Sequence, residues 1–475
     1  MLENRSFDHM LGFLYRDRGN VSLSGEPFDG LTGKESNADA NGNAVSVFSI
    51  DATQRYAYFM PGADPGEGYQ QTNAQLFGSP NAPVPPVATC SGFVTNFGST
   101  ISWDAKNGRS VLPGTVDKGI MGIFPPEMLP VLSGLARGYA VCDRWFSSVP
   151  TETMPNRAFV CAATSQGHVD DQTKSFTVPS IFGLLSKHKL DWAVYGYDED
   201  PLTRHDFPDT AAASDDHFGT FQDFVAAARG GTLGAYTFLE PSWGSTGNSQ
   251  HPNYDVALGE ALIHDVYYAL RNGPGWSATL LVIVYDEHGG CFDHVPPPQN
   301  ATAPDKTAGE QGFDFKRFGV RVPAVLVSPL IAQGTVLSVP AGAVPFDHTS
   351  ILKTVETRWN LPSLTARDDA APQLGGVLSL SEPRTDDPLE GVVVPQSAGP
   401  SPHSPDDPPS HMQMIHAELV SRLPVLNEMG GAKHQMPALR TGAECATYIR
   451  ERTKAWKASK AAVAARPAHR PVTGS

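Results

Sequence analysis

The sequence predicts an α/β fold built around a mostly parallel central sheet. Short apolar runs bounded by turn-forming residues alternate with segments in which apolar residues recur at helical spacing. The clearest run, 279–285 (TLLVIVY), is apolar on both faces, as expected of a central parallel strand covered by helices. Strands that alternate with helices in this way are typical of a layered α/β domain.

The individual elements follow from these patterns. Besides 279–285, strands are predicted at 190–195, 235–239 and 323–327. A helix is predicted at 255–272, because Val256, Leu262, Ile263, Val266 and Leu270 share one stripe and Gly273 then ends it. Further helical patterns cover 127–137, 351–359 and 414–426.

Composition shifts divide the chain of 475 residues into three regions. Residues 1–380 form the predicted catalytic domain, in which 19–104 is rich in Gly, Asn, Ser and Pro and predicts long loops or a cap. Residues 381–410 are rich in Pro, Ser and Asp and predict a linker. Residues 411–475 predict a helical segment with a basic tail, which favours a solvated end over a lipid-contacting one.

The bulk composition excludes several classes of protein. The net charge of −15 argues against broad binding to nucleic acid, whose phosphates require clustered Lys and Arg. No apolar run is long enough to predict a transmembrane helix. Five cysteines without a CxxC pair make a thiolate zinc site improbable and do not require disulfides.

The strongest chemical cluster, Asp286-Glu287-His288, directly follows the best predicted strand. Active sites in open parallel sheets lie at the carboxyl ends of the strands. Two adjacent carboxylates there would repel each other unless they are protonated or held by a cation. Oxygen ligands with some imidazole suit Zn, Mn, Mg, Ca or Fe, whereas the plain alternative is a polar turn.

A second cluster runs from Thr151 to Arg157 and predicts a helix start at Pro155. Thr153 would then lie just before a helix N-terminus, where backbone N–H groups favour an alkoxide or a phosphate. A free Thr hydroxyl is a weak nucleophile that a coordinated metal would activate. By itself the pattern is more typical of a Thr N-cap, and Thr151 is a rival for the same role.

Three further segments carry residue types that suit a metal or a phosphate. His348 precedes a predicted helix, and His251 and Asp255 lie at the start of another. Glu3 and Asn4 open the chain within a dense polar segment. Alone, His348 is more typical of a helix cap or a core histidine, and Glu3-Asn4 of a solvated terminus, whereas a capped helix start explains the segment of His251 and Asp255 equally well.

Taken together, these clusters resemble the phosphoesterase family of bacterial phospholipases C, plant non-specific phospholipases C and an acid phosphatase branch. The matching segments occur in family order and are 3–13 (ENRSFDHMLGF), 129–160, 251–260 (HPNYDVALGE), 286–297 (DEHGGCFDHVPP), 319–329 (GVRVPAVLVSP) and 347–354 (DHTSILKT). The resemblance implies a three-layer α/β/α, alkaline-phosphatase-like fold with long loop or cap insertions.

The resemblance also implies roles for particular residues. The implied metal-binding residues are Glu3, Asn4, Thr153, Asp286 and Glu287, and the implied cofactor is a divalent ion such as Ca, Zn, Mg or Mn. Thr153 matches the nucleophile, with His251 and His348 as the other catalytic candidates. The candidate substrate-binding residues are Asp255, Asn156 and His288, although Asn156 and Arg157 are also expected to support the nucleophile turn.

Two departures from the family pattern stand out. The family usually has a hydrophobic strand just before the opening motif, so we expect the chain to lack a strand before Met1. The family also often has Glu where Asp347 stands, and the shorter side chain would weaken a bond to His348.

The expected function is metal-dependent hydrolysis of a phosphate ester, most simply by a phospholipase C that forms a phospho-threonine. An acid phosphatase acting on monoesters is the first alternative, and an inactive protein that binds phospholipid headgroups is the second. The expected partners are a phospholipid or a small phosphate ester, with transient contact to a membrane surface and no nucleic acid. Relatives of this kind are often exported, so we expect a secreted or periplasmic enzyme whose leader is absent from this chain, with a cytoplasmic location as the alternative.

Overall fold

The computed structural model describes residues 1–172, 176–340, 342–425 and 434–464. Its α-helices are α1 (Phe7–Leu11), α2 (Tyr69–Phe77), α3 (Phe93–Asn107), α4 (Pro130–Gly138), α5 (Thr153–Ala162), α6 (Ile181–Lys187), α7 (Pro208–Ala212), α8 (Phe221–Gly230), α9 (Val256–Arg271), α10 (Thr349–Trp359), α11 (Ala366–Asp369), α12 (His411–Ser421) and α13 (Gly442–Ala464). Its strands are β1 (Ser36–Ala38), β2 (Ala44–Ser46), β3 (Phe48–Ser49), β4 (Gly122–Ile123), β5 (Ala140–Cys142), β6 (Trp192–Gly196), β7 (Phe218–Thr220), β8 (Tyr236–Leu239), β9 (Leu281–Val284), β10 (Ala324–Val327) and β11 (Thr335–Leu337).

The central strands form two neighbouring sheets. One has four strands in the order β11-β5-β10-β9, and the other has three parallel strands in the order β7-β6-β8. The predicted α/β class is confirmed, and the packing is consistent with the predicted three-layer α/β/α arrangement. The four predicted strands correspond to β6, β8, β9 and β10.

One strand departs from the mostly parallel expectation. Strand β10 runs antiparallel to both β5 and β9, whereas β11 is parallel to β5. A parallel connection requires a crossover, usually through an α-helix. Residues 285–323, which connect β9 to β10, contain no α-helix. The chain therefore returns beside β9 in the opposite direction.

The first residues of the chain lie between the two sheets. Leu2 pairs in parallel with Tyr285, and its N–H donates to Val284 O at 2.9 Å. The amino group of Met1 donates to Leu239 O at 3.0 Å. This pairing places Glu3 beyond the carboxyl ends of β8 and β9. A groove of about 290 Å³ lies behind Met1, between the facing edges of those strands.

The region 19–104 contains two helices that the sequence pattern did not predict, α2 and α3. Helix α3 is rich in β-branched, aromatic and Gly residues, which have modest helix propensity. Only Phe93, Val94, Phe97 and Asp104 of this helix are buried, so its apolar periodicity is short. Tertiary packing, more than local propensity, therefore holds it in place.

The C-terminal region packs against the catalytic domain. Helix α12 begins at His411, earlier than predicted, because Ser410 and Gln413 form a capping box, and it ends at Ser421. Helices α12 and α13 share a small core that includes Val420 and Ile449. The last position of the predicted helix 414–426, the residues 427–433 that follow it, and the end of the basic tail at 465–475 lie outside the described residues.

Residues 381–410, the predicted linker, are all described and contain neither helix nor strand. They nevertheless lie against the catalytic domain, where Ser397 Oγ donates to Asp255 Oδ1 at 2.6 Å. All five cysteines are buried and unpaired. Among the residues that were described, no helix is both long and apolar enough to cross a membrane.

Candidate active site

The opening segment and the end of β9 meet at the carboxyl edge of the sheet. The backbone N–H of Asn4 donates to Asp286 Oδ1 at 2.9 Å, and Asp286 N donates to Leu2 O at 3.2 Å. Gly289 lies at a positive φ of 58°, and a Cβ there would be only 2.0 Å from Asn4 O. The turn after β9 therefore requires glycine at this close approach.

Arg157 compensates the charge of Asp286. Its Nε donates to Asp286 Oδ2 at 3.0 Å, and both side chains are almost fully buried. The guanidinium also stacks on the ring of Trp243. Helix α5 carries Arg157, so this ion pair fixes the helix against the end of β9.

Thr153 is the first residue of α5, and its hydroxyl points to the opening segment. Thr153 Oγ1 donates to Asn4 Oδ1 at 3.1 Å. Asn156, predicted to bind substrate, instead supports the turn, since its Nδ2 donates to Thr151 O at 2.9 Å and to Glu152 O at 3.0 Å. The rival hydroxyl of Thr151 donates to Val169 O at 2.6 Å, so it is already engaged inside the protein.

The predicted metal ligands include buried carboxylate oxygens that accept no hydrogen bond. Within the described chain this holds for both oxygens of Glu3, which is 1% exposed, and for Oε1 of Glu287, which is fully buried. Burial, and after it the nearby Asp286 carboxylate, raises the pKa of Glu3 to about 7. Burial and Asp286 likewise raise the pKa of Glu287. Buried carboxylates without donors fit a divalent cation that prefers oxygen ligands.

The closest groupings of metal-type ligand atoms involve residues that the sequence analysis did not select. Within the described residues, the ligand atoms of Asp64, Glu67 and His251 lie within 4.8 Å of one another, as do those of Glu67, Asp171 and His411. Glu3, Asp286 and Glu287 are not among the groups that meet this distance limit in the described residues.

A cavity of about 580 Å³ connects these groups. Its wall includes Glu3 and Thr153 from the predicted site and Asp64 and Glu67 from the loop before α2. The opposite wall comes from the C-terminal region, between residues 402 and 414. The predicted linker therefore contributes directly to the surface that a substrate would contact.

His251 is the predicted catalytic histidine that faces this cavity. Its Nδ1 lies 3.0 Å from the carbonyl oxygen of Pro252, and its Nε2 lies 3.9 Å from Asp64 Oδ1. The carboxyl groups of Asp64 and Glu67 thus lie close to the imidazole. His251 is 9% exposed and belongs to the cavity lining.

His348 lies behind the carboxylates and does not line the cavity. Trp145 Nε1 donates to His348 Nδ1 at 3.3 Å, which leaves the ring proton on Nε2, and Nε2 then donates to Asp286 O at 2.6 Å. Burial lowers the pKa of His348 and keeps this ring neutral. The structure therefore gives His348 a supporting position beneath Asp286.

Two other predicted substrate contacts also have partners within the protein. His288 Nε2 bonds to Gln75 Oε1 at 2.7 Å, and its Nδ1 lies 3.0 Å from Glu287 Oε2. Asp255 caps α9 by accepting the N–H of Ala257 at 3.0 Å. The helix-cap alternative that the sequence left open for Asp255 describes its position.

Comparison with known proteins identifies the family of this chain. The model of the phosphoesterase family matches residues 1–362, which contain every predicted site residue. The chain belongs to the phosphoesterase family.

Individual relatives of this phosphoesterase share most of its length. Non-specific phospholipase C3 of Arabidopsis thaliana is 35% identical over 417 residues, covering 83% of this chain and 75% of the relative. Non-specific phospholipase C6 of Arabidopsis thaliana is 37% identical over 409 residues, covering 82% and 73%. Phospholipase C B of Mycobacterium tuberculosis (strain ATCC 25618 / H37Rv) is 29% identical over 422 residues, covering 78% and 74%.

A solved structure described as a protein in the alkaline phosphatase superfamily from Vibrio parahaemolyticus is also similar. It has 10% sequence identity and a TM-score of 0.30, and the match covers 53% of this chain and 65% of that one. The family membership makes this protein a phosphoric ester hydrolase, which confirms the predicted reaction class.

Sequence reasoning did not select four residues that line the candidate site, namely Asp64, Glu67, Asp171 and His411. They come from loops and from the start of α12, where no apolar period marks a position as facing the site. Asp171 accepts the N–H of Met154 at 2.6 Å, so it holds the first turn of α5. For Asp64 and Glu67 the sequence shows only acidic residues among Gly and Pro (61–68, PGADPGEG), which is typical of ordinary turns.

Proposed function

We propose that this phosphoesterase is a phospholipase C that cleaves the bond between phosphate and glycerol in a phospholipid. The observation that carries the proposal is the position of the Thr153 hydroxyl. Thr153 is the first residue of α5, and its hydroxyl donates to Asn4 Oδ1 at 3.1 Å. Thr153 also lines the same cavity as Glu3. The printed names of the similar proteins, non-specific phospholipase C and phospholipase C, support this choice.

Thr153 is the proposed nucleophile. The N-terminus of α5 presents backbone N–H groups and a positive dipole end to the incoming phosphate. A divalent metal held by Glu3, Asn4, Asp286, Glu287 and Thr153 would lower the pKa of the hydroxyl and offset the charge of the phosphoryl oxygens. Asn4 orients the Thr153 hydroxyl, and the ion pair with Arg157 holds the Asp286 side chain in place.

The proposed reaction has two steps. In the first, Thr153 Oγ bonds to phosphorus, the bond from phosphorus to the glycerol oxygen breaks, and that oxygen takes a proton from His251. The proton of the Thr153 hydroxyl passes to solvent. In the second step, water attacks the phospho-threonine and gives one proton to His251, the bond from phosphorus to Thr153 Oγ breaks, the Thr153 oxygen takes a proton from solvent, and the phosphorylated headgroup leaves.

The charge of the cavity favours diesters over monoesters. Asp64, Glu67 and Asp171 line the cavity with carboxyl groups, and the lining also includes Arg109. Burial raises the pKa of Glu67 and brings that of Asp171 to about 7. A phosphodiester carries one negative charge, but a monoester carries close to two at neutral pH, so the carboxyl groups that are ionised repel the monoester more strongly. This asymmetry supports phospholipase C over the acid phosphatase alternative.

The test compares hydrolysis of p-nitrophenylphosphorylcholine and p-nitrophenyl phosphate by the wild type and Thr153→Ala, each with and without a chelator. We expect faster cleavage of the choline diester, and loss of activity on mutation or chelation. Preference for the monoester would instead assign an acid phosphatase. A metal-loaded protein that binds phosphatidylcholine vesicles but cleaves neither ester would indicate an inactive headgroup-binding protein.

A further inference from the structure

We infer that Glu67 is a positioning residue that fixes which end of the Asn4 side chain faces Thr153. Glu67 Oε2 accepts a hydrogen bond from Asn4 Nδ2 at 2.6 Å, and Asn4 Oδ1 accepts the Thr153 hydroxyl at 3.1 Å. The inference rests on the proposed metal and nucleophile roles of Asn4 and Thr153. Family membership does not assign any role to Glu67.

An asparagine in this position needs an external group to orient it. The two ends of a carboxamide are nearly equal in size, but one end only accepts and the other only donates. A rotation of 180° would direct the NH₂ group at Thr153 and remove the oxygen that a cation or the hydroxyl requires. The Glu67 oxygen that faces Asn4 is an acceptor, so it bonds the NH₂ end and leaves the amide oxygen toward Thr153.

The backbone of Asn4 is already fixed, so the amide orientation is the remaining variable. Asn4 has a positive φ of 54°, and its N–H donates to Asp286 Oδ1 at 2.9 Å. Glu67 is itself anchored, because its carbonyl accepts the Thr72 hydroxyl at 3.1 Å at the start of α2. The loop before α2 thereby reaches the opening segment of the chain through one short hydrogen bond, from Asn4 Nδ2 to Glu67 Oε2.

The experiment measures Mn²⁺ affinity by calorimetry for the wild type, Glu67→Gln and Glu67→Ala, with Zn²⁺ and Ca²⁺ as second probes. Losing a partner that orients a metal ligand typically weakens metal affinity by about 10–100-fold, which is the loss we expect for Glu67→Ala. Glu67→Gln should lie between, because its carbonyl still accepts from Asn4 whereas its amide permits the rotated state. Glu127→Gln serves as the control, since it removes an exposed carboxylate that lies outside the cavity and the metal-type ligand groups.

A double-mutant cycle with Asn4→Asp separates orientation from other roles of Glu67. Aspartate has two equivalent oxygens, so nothing remains to be oriented. In that background Glu67→Ala should leave Mn²⁺ affinity unchanged or raise it. An equal loss in both backgrounds, a loss no larger than that of Glu127→Gln, or a wild type that binds none of the three ions would overturn the inference. Normal Mn²⁺ results in a protein that cleaves no ester would count against the proposed function alone.

Discussion

Asn4 and Asp286 are 282 positions apart in the sequence, and a hydrogen bond of 2.9 Å joins the backbone N–H of the first to the carboxylate of the second. This contact brings the opening segment and the end of β9 into one site. Both segments carry predicted metal ligands, so the bond determines the geometry in which those ligands meet. The predictions below concern the residues on either side of it.

Replacing Thr153 tests the nucleophile. Thr153→Ala should lower kcat by about 10³-fold or more, because no hydroxyl remains to bond to phosphorus. Thr153→Ser should stay within about tenfold of the wild type, because it keeps an oxygen at the same position. Steady-state hydrolysis of p-nitrophenylphosphorylcholine measures both. Full activity of Thr153→Ala would remove Thr153 from the reaction and direct attention to Thr151.

His251 and His348 should respond differently to the leaving group. If His251 protonates the leaving oxygen, His251→Ala should slow phosphatidylcholine cleavage by about 10²-fold or more, because a glycerol alkoxide is a poor leaving group. The same variant should affect p-nitrophenyl esters far less, since nitrophenolate leaves without a proton.

His348→Gln provides the comparison for this test. His348 supports Asp286 through its backbone oxygen, so its loss should slow both kinds of ester by similar factors. The test measures the rates at which both variants cleave the lipid and the nitrophenyl ester under one set of conditions, and compares the loss of rate on the two substrates. Equal factors for His251→Ala on the two substrates would exclude it as the proton donor.

Glu3 should have opposite effects on stability with and without metal. Burial raises its pKa to about 7, so without metal the unfolded state ionises first and stability falls as the pH rises from about 4.5 to 7. At pH 8, Glu3→Gln should therefore unfold at higher urea than the wild type in a chelator. With saturating Mn²⁺ the order should reverse, because the variant loses a ligand. A variant that is less stable under both conditions would show that Glu3 makes no unfavourable buried charge.

The ion pairs of His294 predict that the stability of the fold depends on pH, at a position away from the reacting groups. Burial alone lowers its pKa, but bonds to Asp29 and Asp8 outweigh burial and raise it to about 10. The pKa of this cationic group is higher in the folded protein than in the unfolded chain. Its ion pairs therefore stabilise the fold fully below about pH 6.5, and this stabilisation is lost as the pH rises through about 10. His294→Gln should cost about 2 kcal/mol at pH 6.

Urea unfolding of the wild type and His294→Gln at pH 6, 8 and 10.5 checks this window. The difference between the two proteins should shrink at each step toward alkaline pH. His264→Gln is a suitable control, because His264 is half-exposed on α9 and contacts only its neighbour Asp265 and the ring of Tyr268. A difference that grows toward pH 10.5 would contradict the assigned ion pairs.

Much of the fold and part of the site follow from local sequence patterns. The apolar run of β9 and the carboxylates directly after it are adjacent in the chain, so strand and site could be placed together. Thr153 could be placed at the start of α5 because Pro155 marks a first helical turn. In each case the informative residues lie within a few positions of one another.

The tertiary structure decided which side chains share the cavity. Glu67, Asp171 and His411 come from three distant segments, and no period in the sequence relates them. The tertiary structure also decided the positions of His348 and Asp255, which look like ligands in the sequence motifs. His348 is hydrogen-bonded to Trp145 and Asp286. Asp255 accepts hydrogen bonds from Ala257 and Ser397. A local pattern determines which side of a helix or strand is apolar, whereas sheet order and loop packing determine which distant polar groups come within hydrogen-bond distance.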